Sequence, residues 1–169
     1  MIQRYSLKFL LVSALLAVSA CSNATSWGNN GAGGSSTGGQ PGLVSDITSP
    51  AYFQQAIGDR VLFPIDQSNL TAEAQAILGA QAQWLIDNPD YSATIEGHAD
   101  EQGTREYNLA LGARRANAAR EYLVSNGVAG NRIKTLSFGK ERPLEVCSEE
   151  SCYSRNRRAV TVLTSDLTG

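Results

Sequence analysis

Asp100 and Arg115 are the residues whose types and spacing point most directly to a binding chemistry. Asp100 sits in the run Ile95-Glu96-Gly97-His98-Ala99-Asp100-Glu101-Gln102-Gly103-Thr104, and Arg115 in the helix-like segment that follows. In a strand–loop–helix unit, a carboxylate at the loop end can face a residue two or three turns into the helix. An acid beside a guanidinium suits a zwitterion: the aspartate takes an ammonium while the arginine forks onto a carboxylate. The same two residues could instead neutralise each other, and from the pair alone that internal salt bridge is the simpler reading.

His98, with Asp100 and Glu101 close by, invites a metal or acid–base reading. It is the single histidine of the chain, and neither a second His nor a Cys completes a ligand set around it. No nucleophile motif accompanies it. A structural histidine that positions the loop is expected, with no metal, no cofactor and no catalytic residue.

The elements that must carry these residues follow from periodicity. Val61-Leu62-Phe63 reads as a short strand ending at Pro64, after a lead-in helix over Ala51 to Ile57. Thr71 is an N-cap with Glu73 in the first turn, and Ala74, Ile77, Leu78, Ala82 and Leu85 recur at helical spacing until Asn88-Pro89. Ser92 to Gly97 is a second strand. Thr104 caps a longer helix with the stripe Leu109, Gly112, Ala116, Ala119 and Leu123, closed by Asn126-Gly127. Ile133 to Phe138 and Ala159 to Thr164 complete the strands. This β-α-β-α-β-β order predicts an α/β (α+β) fold with helices packed on a small mixed sheet.

The N-terminal third has a different character. Arg4 and Lys8 precede the apolar run Phe9 to Val18, and small residues lead to Cys21, the layout of a secretion signal over residues 1–20. Its twelve apolar-to-small residues from Phe9 to Ala20 would make a helix of roughly 18 Å, too short for about 30 Å of hydrocarbon. Ser22 to Ser45 carries no charge and seven of the chain's 16 glycines, so residues 21–50 read as a flexible tether before a folded unit over 51–169. Removing the signal leaves 12 basic against 16 acidic groups. A net acidic chain lacks the basic face that nucleic-acid binding requires.

Val18-Ser19-Ala20-Cys21 resembles a bacterial lipobox, which implies lipid attachment at Cys21; Ser22 after it is similar to lipoproteins sorted to the outer membrane. The run Ile95 to Thr104, together with Glu106-Tyr107-Asn108, Leu111-Gly112-Ala113-Arg114-Arg115-Ala116, Ser137-Phe138-Gly139-Lys140-Glu141 and Asn156-Arg157-Arg158-Ala159, closely resembles the peptidoglycan-associated lipoproteins (Pal), which carry the OmpA-like peptidoglycan-binding domain. The resemblance covers about Arg60 to Leu163. It implies an OmpA-like sandwich and a peptidoglycan site in which Asp100 and Arg115 hold the diaminopimelate of the stem peptide, with Asn108 as a polar contact. Phe63, Asp66 and Arg157 are further candidates; Asp66 could instead set the following turn, and Arg157 could hold one with Asn156. Pro64 has no N–H, which removes a backbone donor at that position.

The resemblance also implies a lipid-anchored outer-membrane protein facing the periplasm, working with TolB and other Tol proteins in envelope integrity and division. Glu101 to Tyr107 is similar to the TolB docking surface. Cys147 and Cys152 can pair in an oxidising periplasm, leaving Cys21 for the lipid. Competing expectations are a peptidoglycan-remodelling enzyme, or a wall anchor for another machine such as a motor stator or porin.

Overall fold

The computed structural model describes residues 45–165. The expected signal segment, Cys21 and the tether up to residue 44 lie outside the described residues. Ser49 starts the first helix, α1 (Pro50–Tyr52), its hydroxyl accepting from the Tyr52 N–H at 3.1 Å, and the chain continues as a π-helical stretch, Phe53–Gly58. Order reaches back further, because the Trp84 indole N–H donates to the Ile47 carbonyl at 2.7 Å. There follow β1 (Arg60–Leu62), α2 (Ala72–Asp87), β2 (Tyr91–His98), α3 (Arg105–Ser125), β3 (Ile133–Gly139), α4 (Glu150–Asn156) and β4 (Arg158–Ser165).

The helix ends are made by the expected residues. Thr71 and Thr104 accept at 3.1 and 3.2 Å from the N–H groups of Ala74 and Tyr107, satisfying donors the helix leaves open. At the far end of α3, Gly127 takes φ +102°, and Gly127 and Val128 donate back to Val124 and Leu123. This is the paired bond pattern that closes a helix on a left-handed residue.

The sheet order is β1-β4-β2-β3. β2 and β3 run parallel through the α3 crossover, while β4 is antiparallel to both its neighbours. The last strand therefore lies inside the sheet, between the first two in sequence. Phe53, Leu78, Leu85, Ile95 and Leu123 form the centre of the core, each at most 1% exposed. Phe53 and Tyr91 flank Trp84, with ring centroids 5.0 and 5.2 Å away.

One element was not expected from the sequence. α4 is short, carries Ser151, Cys152, Tyr153 and Ser154, and has no apolar stripe to announce a helix. The Cys147–Cys152 disulfide closes the loop that leads into it.

α3 lies on β2 at a glycine-to-glycine approach. A methyl group on Gly97 would meet the Gly112 carbonyl oxygen at 1.9 Å, and one on Gly112 would meet the Gly97 oxygen at 2.8 Å. Both neighbours are backbone and cannot rotate aside. Gly97→Ala is expected to destabilise the domain by about 3 kcal/mol or more, at the upper end of overpacking costs, read as a shift of the urea midpoint at unchanged slope.

Candidate functional site

Arg115 projects from α3 into the protein with no exposed surface. Its Nε donates to the Gln67 carbonyl at 2.8 Å, Nη1 to the His98 carbonyl at 2.8 Å and Nη2 to the Pro64 carbonyl at 3.2 Å. Its guanidinium carbon lies 5.3 Å from the centre of the Phe63 ring. Burial pulls its pKa down to about 10, and the negative charge of Asp100 is the chief influence opposing this, so it stays protonated at neutral pH. Three of the five guanidinium N–H groups thus serve backbone carbonyls, and two remain over.

Asp100 lies two residues past the end of β2. One carboxylate oxygen accepts from the Gln102 N–H at 3.2 Å, a local turn bond; the other accepts from Nη1 of Arg157 at 3.1 Å. The internal salt bridge that Asp100 and Arg115 could have made is replaced by this pair with Arg157, whose side chain is 5% exposed against 12% for Asp100. Arg157 also donates to the Phe63 carbonyl and to both carboxylate oxygens of Glu150. Asn156 is the residue that holds a turn: its side chain bonds the N–H groups of Leu144 and Glu145 and the Glu145 carbonyl.

Asn108 is 1% exposed and donates to the Gln102 carbonyl at 2.7 Å, bracing the loop from beneath. Asp66 adopts φ +57°, a turn conformation that few residues other than glycine take readily, and its carboxylate accepts from the Tyr107 hydroxyl. Asp66, Asp100, Gln102, Tyr107 and Asn108 line one cavity of about 310 Å³, with Ile65 and Leu111 as its apolar wall. Arg115 lies beneath rather than on this surface. A second cavity of about 300 Å³ beside β1 is walled by Leu62, Ala74, Ile77 and Leu144. Its charged lining residues are Glu73, Arg60 and Arg155, of which the two arginines are paired with Asp59 and Glu145.

His98 is 2% exposed, stacked on Phe138 at 5.5 Å and 3.8 Å from the Glu96 carboxylate. Its backbone oxygen, not its ring, serves the site by accepting from Arg115. Burial, helped by the positive charges of Arg158 and Arg142, lowers its pKa from 6.5 to about 4. Among the described residues no group of three or more His, Cys, Asp or Glu could hold a metal.

The sequence reading missed Glu150 as a partner of Arg157, because the short helix that brings these two residues together across seven positions carries no apolar stripe to announce it. Arg157 in turn meets Asp100 because β4 enters the sheet beside β2, pairing Ala159 with Gly97 and bringing the residue ahead of β4 to the loop after β2.

Residues 62–157 match the OmpA family. The peptidoglycan-associated lipoprotein of Mesorhizobium japonicum is 53% identical over 156 residues, covering 89% of this chain and 87% of the relative. That of Rhizobium meliloti is 54% identical over 153 residues, covering 88% and 82%. The crystal structure of the peptidoglycan-associated lipoprotein from Burkholderia pseudomallei superposes with a TM-score of 0.63 at 36% identity, over 66% of this chain and 96% of that one. The C-terminal domain of Helicobacter pylori MotB shares the fold, with a TM-score of 0.60 at 17% identity over 64% and 86% of the two chains. The four-stranded mixed sheet and its covering helices thus define an OmpA-like domain. The chain belongs to the peptidoglycan-associated lipoproteins.

Two outcomes are expected from this geometry. Arg115→Ala strands three backbone acceptors and should cost about 3 kcal/mol or more of unfolding free energy, measured in urea. The second concerns pH. Below about 6.5 an unfolded chain protonates His98 whereas the folded one does not until about 4, so stability falls as pH drops through that interval. A His98→Gln variant should lose less stability than wild type between pH 7 and pH 4.5.

Proposed function

We propose that this lipoprotein binds peptidoglycan non-covalently through the cavity at the β2–α3 loop, without catalysis. The observation that carries the reading is the convergence on one small space of two carboxylates, Asp66 and Asp100, above a buried arginine with two uncommitted N–H groups. The diaminopimelate side chain of a stem peptide carries an ammonium and a carboxylate on one carbon. Asp100 takes the ammonium. The carboxylate is drawn to Arg115, and the turn holding the Pro64 and Gln67 carbonyls yields slightly to admit it. Asn108 acts through the Gln102 loop rather than as a bare polar contact, and Phe63 supports Arg115 from its ring face.

Acylation at Cys21 would fix the chain to the outer membrane, with the folded domain in the periplasm. Two or more acyl chains make such anchoring stable at about 0.8 kcal/mol per buried methylene. Many anchored copies facing a repeating polymer gain avidity, so modest single-site affinity suffices. Within a Tol–Pal system this link would support envelope integrity and the inward movement of the outer membrane at division. Docking of TolB on Glu101 to Tyr107 would cover the same cavity, since Gln102, Gly103 and Tyr107 line it.

Detergent-solubilised full-length protein should co-sediment with purified sacculi, and Asp100→Ala should abolish pelleting while circular dichroism stays native. Undiminished pelleting of the variant removes Asp100 from the site, and muropeptide release from the sacculi would reveal an enzyme instead. A pull-down that recovers TolB and peptidoglycan together on one molecule would contradict mutually exclusive docking.

A further inference from the structure

Glu150 reaches the site through α4, which sets its side chain against Arg157 seven residues further on. It is the first residue of α4, inside the loop closed by Cys147–Cys152, and its side chain is 60% exposed. Both its oxygens accept from Arg157, the guanidinium that also holds Asp100, and Nη1 of Arg157 is divided between the two acids at 3.1 and 3.3 Å. The bond from Arg157 keeps the Glu150 carboxyl below its ordinary pKa, so it is ionised at neutral pH. The same segment grips the binding loop a second time. Ser148 and Tyr153 donate from either side of the disulfide to the Glu101 carboxylate, at 3.3 and 2.9 Å.

The charge balance gives this arrangement a meaning. Within the ion-pair network Asp100 and Glu150 share Arg157, two negative charges against one positive. Without Glu150 the remaining pair would cancel, and Arg157 would turn wholly onto Asp100. With it, the network lacks one positive charge, and the vacancy falls at Asp100, the acid that both lines the cavity and shares its arginine. We infer that Glu150 is a positioning and specificity residue for the cationic half of the guest, which keeps Asp100 available to an ammonium by taking a share of Arg157. This rests on the reading of the cavity as the peptidoglycan site, and it assigns Glu150 no direct contact with the ligand.

The test uses detergent-solubilised full-length protein and two probes: a stem tripeptide ending in diaminopimelate, and the same tripeptide acetylated on its side-chain amine. Isothermal calorimetry should show that wild type prefers the free amine. Glu150→Gln keeps the side-chain shape and removes the charge; it should weaken the free-amine peptide about threefold to fivefold, the range of a partly exposed ion pair, and leave the acetylated one unchanged. The preference then narrows, which a merely structural role for Glu150 would not produce. Equal loss of both peptides, or no loss of either, in the face of a wild-type preference overturns the inference and leaves the site standing. A wild-type protein that binds neither peptide, or binds both alike, overturns the reading of the cavity itself.

Discussion

A guanidinium sealed from water must find acceptors inside the protein, and the placing of Arg115 governs the end of this domain where the β2–α3 loop lies. Its three acceptors come from two separate stretches of chain: Pro64 and Gln67 in the turn after β1, and His98 at the end of β2. One side chain on α3 thereby fixes where both stretches lie. Desolvating such a group is expensive, and the three carbonyl bonds offset much of that cost.

The close contact of Gly97 with Gly112 is part of the same arrangement. Without side chains at the crossing, α3 settles directly on β2, and Arg115, one residue beyond Gly112's neighbours Ala113 and Arg114, enters beneath the turn instead of pointing along the surface. The contrast with Arg114 is instructive: it stays exposed, with its guanidinium 5.9 Å from the Tyr107 ring centre. Adjacent residues of one type are sorted into core and surface by the helical turn between them.

Around this fixed cation the remaining charges divide by burial. Arg157 is nearly enclosed and ties β4 to the Phe63 carbonyl, Asp100 and Glu150. Glu150 and Glu101 are held through the disulfide-closed segment and α4, so that a small surface element steadies the loop that carries Asp100. His98 is kept neutral by its enclosure and contributes backbone and packing. A loop so constrained has little conformational freedom left to lose.

Much of this was written in local patterns. Thr71 and Thr104 begin their helices because a hydroxyl ahead of a periodic run satisfies an open N–H, and Asn126-Gly127 ends one because glycine alone enters the left-handed conformation without strain. Four strands, two long helices and the pairing of Cys147 with Cys152 are all properties of short stretches or spacings. The order of the strands is not, since β4 inserts between β1 and β2 by long-range pairing that no window of sequence contains. That insertion decided which arginine Asp100 meets: Arg157, rather than Arg115, and Glu150 with it. Burial decided the rest, giving the Arg115 guanidinium three backbone carbonyls to hold. Residue type announces what a side chain can bind; its partner is settled only when distant segments are packed against each other and water is gone.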